Sequence, residues 1–389
     1  MAHSPLRRAF VVVVVVGSVA ASGACGSSDG GGDVDGGGPC GGAAICNPPA
    51  ETGAFDTDVR DVGPLPPKDT GPGCGVGAPC GDTGRSDGSA DAFADAPPGS
   101  GPTLGGCAIL PADDEWNREV SADAVDPNSA NYIAAMAPTK SVHPDWGSRT
   151  DHYGIPYVVV PASQPKVPVV FDYAAESDPG PYPIPTDAPI EGNPGDTTGD
   201  RHVLALQQGT CLLYEMFASV KDATGDGWHA GSGALFDLSS NKLRPEGWTS
   251  ADAAGLPILP GLARPDEVLG RKEIRHALRF TVVNSQHAYV HPATHYASSK
   301  TDPNLPPMGL RLRLKASVDV STYGAPTQVV LVALKKYGMF VADNGADWFI
   351  SGSSDDAWTP AVMDVLVGEL AKVHGTDFEV VKAGPLVTK

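Results

Sequence analysis

The placement of the tryptophans limits what this chain can fold. All six (Trp116, Trp146, Trp228, Trp248, Trp348 and Trp358) lie beyond Cys107. Residues 26–106 instead carry 22 Gly and 11 Pro in 81 positions, with two aromatics, Phe55 and Phe93. So few large apolar side chains cannot bury enough surface to offset the entropy of ordering the backbone. The segment also has 12 acids against 3 bases, a large share of the net charge of −19. Residues 25–106 are therefore expected to form a disordered Gly/Pro/Asp-rich tether. Residues 107–389 are expected to form a single globular domain, because no second linker interrupts them and their number is ample for a core.

The N-terminus reads as an export signal. Arg7 and Arg8 precede an apolar stretch, 9–19, with six consecutive valines, and small residues lead to Ala24 and Cys25. A basic start, a short apolar run and a small-residue exit describe a secretory signal and not a spanning helix. Ser22-Gly23-Ala24-Cys25 resembles the lipobox of bacterial lipoproteins, with Ser22 where Leu is usual. The resemblance implies that 1–24 is a lipoprotein signal peptide and that Cys25 is acylated. The protein would then be exported and held by lipid in the bilayer of the bacterial cell envelope, at the outer membrane or its periplasmic face. Plain cleavage near Ala24, leaving Cys25 as a thiol, is the alternative. With Cys25 lipidated, six of the seven cysteines remain. Cys40/Cys46 and Cys74/Cys80 share one spacing, so the simplest pairing makes two small loops and leaves Cys107 and Cys211 to close a long one. An oxidising compartment permits this, although six cysteines allow about fifteen connectivities.

Short apolar runs punctuated by Gly, Pro, Asn and Asp predict strands at 155–160, 167–172, 203–206, 211–217, 234–238, 277–283, 310–316, 339–342 and 348–351. Two helices are predicted near the C-terminus. One starts at Pro326 and ends at Lys335, Lys336 and Gly338. The other starts at Thr359-Pro360 and carries an apolar face of Val362, Leu366, Leu370 and Val373. The expected fold is mainly β, of the α+β class: a β-sandwich or jelly-roll-like body with two C-terminal helices.

Several functions lack support. The acidic charge argues against a nucleic-acid partner. Neither G-x-x-x-x-G-K-[ST] nor a strand-to-helix G-x-G-x-x-G occurs, so no nucleotide partner is expected. No G-x-S-x-G elbow occurs either. Asp222-Ala-Thr-Gly-Asp226-Gly227 opens like a calcium loop, but Gly233 stands where the bidentate Glu belongs. His287, His291 and His295 recur every four residues, but the run reads as strand, where such spacing is about 13 Å. No metal site and no cofactor are predicted. Calcium at the Asp222 loop and zinc at His291 and His295, brought together by a turn at Pro292-Ala293, are the alternatives.

The candidate chemistry lies in polar groups on predicted strands and stiff loops. The run 178–185 alternates prolines around Tyr182, which suits either a rigid binding rim or a packed brace. Glu215 shares strand parity with Leu213 and Phe217. Burial of that face would raise its pKa, as a general acid requires, and a salt bridge to Arg279 is the structural alternative. Asp200 or Glu191 would serve as base or nucleophile. Thr249 and Asp252 read as a capping box closed by Gly255, which makes Asp252 a cap. Asp343 falls at a strand end, before a turn. Tyr182, His202, Trp228, Trp248, Arg279, His291, His295 and Lys315 are the candidate substrate-binding residues. Aromatic faces stack on sugars and carboxylates bond hydroxyls, so a polysaccharide or glycan partner is expected. The leading expectation is a polysaccharide hydrolase with paired carboxylates. A lyase using Tyr182, His202 or Lys315 as base ranks lower. The alternative of another class is a non-enzymatic envelope lipoprotein that binds glycan or protein. From Cys107 onward the phrases 178–185, 244–261, 276–281 and 335–345 resemble a group of exported bacterial proteins of unassigned function. That resemblance covers most of the folded region and implies no mechanism and no catalytic residue.

Overall fold

Alternating and β-branched segments supply the strands of the computed structural model, which describes residues 101–388. The signal, Cys25, Cys40, Cys46, Cys74, Cys80 and nearly all of the tether lie outside the described residues. In chain order the elements are β1 (Thr103–Leu104), β2 (Cys107–Ala108), α1 (Ser129–Ala135), β3 (His143–Asp145), β4 (Tyr157–Val160) and β5 (Val169–Phe171). Then come β6 (Val203–Gln207), β7 (Leu212–Phe217), β8 (Val220–Lys221), β9 (Trp228–Ala230), β10 (Ser232–Asp237) and β11 (Leu278–Val282). The last are β12 (Arg311–Leu314), α2 (Ala325–Lys336), β13 (Met339–Asn344), β14 (Phe349–Ser351), α3 (Pro360–Leu370) and β15 (Phe378–Val380). The fold is mainly β, with few helices, as expected.

Two sheets dominate. One has the order β10-β7-β6-β4, the other β15-β12-β13-β11-β14-β3, and a smaller one has the order β5-β9-β8. The pairs β4–β6, β5–β9, β11–β13 and β14–β3 run parallel. Strand parity assigns the faces. Leu204, Leu206, Leu213, Ala234 and Phe236 share the main core with Leu278, Phe280 and Val282 of β11. Val203, Ala205, Tyr214 and Met216 face a second cluster with Trp228, Ala230 and Tyr182. The four-stranded sheet is therefore covered on both faces, and β6 is buried at every position. Each large aliphatic side chain so buried contributes about 1.5–3 kcal/mol.

The helices close the main core. α2 buries Val330, Leu331, Ala333 and Leu334, and α3 buries Leu366 and Leu370. Gly338 follows α2 at φ +71°, where an added Cβ would lie 2.1 Å from the Leu312 carbonyl oxygen, so only glycine fits. The expected capped turn at 249–255 does not become a helix. Asp252 turns instead to a buried arginine, because a charge-assisted bond to a buried cation is stronger than a cap.

Cys107 and Cys211 form a disulfide with Cα atoms 5.5 Å apart and a sequence separation of 104. It ties the β1–β2 hairpin to the chain entering β7. Replacing both cysteines by serine should lower unfolding free energy by about 4–5 kcal/mol in the chain-entropy account. A denaturant titration in non-reducing buffer checks this, and a loss under about 1 kcal/mol would show that the bridge adds little.

Candidate active site

The site is organised by Arg279. It alternates with the core residues Leu278 and Phe280 on β11, and only 3% of it is exposed. Nη2 donates to Asp252 Oδ1 at 2.9 Å, Nε to Asp252 Oδ2 at 3.3 Å, and Nη1 to Ser351 Oγ at 2.6 Å. Burial disfavours the charge, but Asp252, with Asp343 and Glu191 nearby, more than reverses this and holds the guanidinium protonated. The pair thus joins β11, β14 and the loop around Ser250.

Strand pairing brings two more carboxylates to this cation. β3 lies beside β14 with Asp145 opposite Ser351. β13 lies beside β11 with Asp343 opposite Thr281. Asp343 Oδ1 accepts the Asn344 N–H at 2.7 Å and Oδ2 the Ala253 N–H at 3.3 Å. Burial, reinforced by the charges of Asp252 and Asp200, pushes its pKa up to about 8, so it keeps its proton at neutral pH. Burial also lifts Asp145 to about 6, opposed by a hydrogen bond from Tyr153.

Glu191 and His202 complete the group. His202 Nδ1 is 2.6 Å from Glu191 Oε2, and Nε2 is 3.0 Å from the Ala251 carbonyl oxygen. Both partners only accept, so both ring nitrogens carry hydrogen and the ring is an imidazolium. Burial opposes that charge, but Glu191 and Asp200 prevail and raise the pKa to about 9. Burial likewise works against the Glu191 carboxylate, but the His202 cation holds its pKa below the usual value. Glu191 is 24% exposed, Asp145 and Asp343 are part-exposed, and Asp200 is exposed. The loop carrying Asp200 is anchored by the buried Arg201, which donates to the Ser219 carbonyl at 3.0 Å and to that of Asp196.

Four residues singled out from the sequence therefore converge: Glu191, Asp200, His202 and Arg279. Glu215 lies behind them. It occupies the predicted face, has no exposed surface, and accepts the N–H groups of Ile258 (2.9 and 3.0 Å) and Leu259 (2.9 Å). Burial raises its pKa to about 7. It is satisfied by backbone and not by Arg279, and a polymer cannot touch it in this conformation. His295 flanks the group: its Nδ1 is 2.7 Å from the carbonyl of Ala253, whose N–H reaches Asp343.

The other candidates lie in other contacts. Tyr182 is buried in the second cluster and donates to the Asp178 carbonyl at 2.7 Å. Trp228 is buried there too. Trp248 lies beneath Arg244, 5.6 Å from its ring centroid, while Arg244 pairs with Asp178 at 2.6 Å. The proline-rich phrase thus acts as a packed brace. His291 bonds Glu246 at 2.7 Å on the wall of a separate open cavity of about 430 Å³ that also contains Arg311 and Phe340. Lys315 bonds the Thr376 carbonyl at 2.8 Å, and His287 that of Ser298 at 2.7 Å. Asp222 Oδ1 accepts from Thr224 and Asp226, closing its own turn. Among the described residues no group of three or more His, Cys, Asp or Glu is placed to hold a metal ion.

Sequence reasoning did not select Asp145, Tyr153 or Ser351 and took Asp252 for a cap. The signal available was the charge at strand ends, which had marked Asp343. Compared with known proteins, the chain matches no family model, no curated protein and no solved structure.

These protonation states set the pH dependence of stability. The folded pKa values of Asp343, Glu215 and His202 all lie above their unfolded ones. Each contribution is complete below the unfolded pKa and is lost as pH rises through about 8, 7 and 9 respectively. Glu191, held low, loses its contribution only as pH falls through its depressed pKa. Unfolding free energy should therefore decline from about pH 5 to about pH 9, and Asp343→Asn should flatten the decline between about pH 5 and pH 8. A denaturation series that is flat or rising over this interval contradicts these assignments.

Proposed function

We propose that the chain is an exported, lipid-anchored enzyme that hydrolyses a polysaccharide with differently ionised carboxylates. The observation that carries this reading is that two part-exposed acids facing the same buried Arg279 are held in different ionisation states. Asp343 keeps a proton at neutral pH while Glu191, fixed by His202, stays ionised. Environments that drive two acids apart in pKa mark a proton donor and a base. Asp343 is the group to protonate the leaving oxygen. Glu191, with Oε2 engaged by His202, is the base or nucleophile, and Asp145 and Asp200 bond hydroxyls. Arg279 sets the field in which this split persists.

Charge narrows the substrate. A cluster of Asp145, Glu191, Asp200 and Asp343, on a chain of net charge −19, repels uronate polymers and favours neutral or amino-sugar chains. The lyase bases fit less well. Tyr182 is buried, His202 lacks a lone pair, and Lys315 is bonded elsewhere. Export and attachment through acylated Cys25 belong to the same proposal and are supported by the pattern of 1–25. The non-enzymatic envelope reading, binding glycan or protein, draws support from Asp252 and Glu191 each being neutralised by a buried cation.

The full chain assayed against a glycan panel for new reducing ends tests the proposal. Asp343→Asn and Glu191→Gln should each lower the rate by about 10²–10⁴-fold, whereas Glu215→Gln should retain most of it. Saturable binding without product would favour the non-enzymatic reading.

A further inference from the structure

The aromatics expected to stack on a sugar are largely covered: Tyr182 and Trp228 lie in the second cluster, and Trp248 lies under Arg244. An aromatic that does reach solvent beside the carboxylates is Tyr153, which is 39% exposed. Its hydroxyl is nevertheless engaged by protein partners. It lies 3.0 Å from His143 Nε2 and hydrogen-bonds Asp145. A surface tyrosine commonly presents its polar tip to water and buries its apolar body. Here the tip is held by His143 and Asp145, which fixes the ring of a part-exposed side chain in place.

The ring is also held from several sides. His143 meets it edge-on at 6.2 Å and 82°, and His143 itself packs on Phe349 at 4.2 Å. A Cβ at Gly147 would come within 3.2 Å of Tyr153 Cβ. Gly154 follows at φ +86°, pressed against the backbone of Gly352 and Ser353. A fixed aromatic surface costs little entropy when a ligand lands on it. We propose that Tyr153 is the sugar-stacking platform of the site, holding a neutral or amino-sugar ring against Asp145, Glu191 and Asp343. This rests on the carbohydrate reading above.

Calorimetric titration of the full-length Asp343→Asn protein, which turns over little, tests it. The probes are cellohexaose, xylohexaose, maltohexaose, chitohexaose and deacetylated chitohexaose, with trigalacturonate for comparison. A neutral or amino-sugar probe should bind and trigalacturonate should not. Adding Tyr153→Ala should weaken binding about tenfold, while Tyr153→Phe and Tyr153→Trp stay within about threefold. Tyr153→Leu replaces the alanine variant if that one fails to fold. Unchanged affinity in the alanine or leucine variant overturns the platform and leaves the carbohydrate reading standing. So does a phenylalanine variant as weak as alanine, because then the hydroxyl matters and not the ring. If none of the neutral or amino-sugar probes binds the parent, the carbohydrate reading falls and takes the platform with it.

Discussion

A buried guanidinium must be paired, and the pairing of Arg279 with Asp252 shapes everything around it. Removing one partner from such a pair typically costs about 3–5 kcal/mol, because the other charge is left uncompensated. That demand holds the loop around Ser250 against β11 in place of a helical turn. It also fixes the Ala251 carbonyl, which then accepts from His202, and the Ala253 N–H, which reaches Asp343. Ser351, the third partner of Arg279, stands opposite Asp145 across the β14–β3 pairing. One ion pair thus sets the positions of four neighbours from separate parts of the chain.

The electrostatics follow from the same crowding. Two buried cations, Arg279 and His202, face Asp145, Glu191, Asp200, Asp252 and Asp343. The cations neutralise the acids they touch, Asp252 and Glu191. For Asp145 and Asp343 burial is the main cost of ionising, and the neighbouring acids add to it. The proton on Asp343 is therefore a consequence of position. Glu215, deeper and bonded by two backbone amides, acts as an internal acceptor that fixes the turn at Ile258 and Leu259.

Much of this was legible from local pattern. Strand parity placed Glu215 on the Leu213 face, the spacing of prolines, lysines and glycines located α2 and α3, and the matched spacing of Cys40/Cys46 and Cys74/Cys80 left Cys107 and Cys211 as partners. His202, Asp200, Glu191 and Arg279 were found because they interrupt or border apolar runs. What local pattern lacks is pairing at long range. β3 is three residues long with Pro144 in its centre, tolerable on a sheet edge, and its partner β14 lies about two hundred residues later. Nothing near Asp145 announces that neighbour. Trp228 was misplaced as a surface residue for the same reason: whether an aromatic fills a core or lines a rim depends on what packs over it, here Val203, Ala205, Tyr214 and Met216 of the four-stranded sheet.

The central claim is that two acids facing Arg279 hold opposite protonation states at neutral pH. Carboxyl carbon-13 titration of the folded full-length protein, with Asp343→Asn and Glu191→Gln used to assign the signals, tests this directly. Asp343 should titrate near pH 8, while Glu191 remains ionised until well into acid. Both groups titrating together near pH 4, as ordinary exposed carboxyls do, would contradict the account.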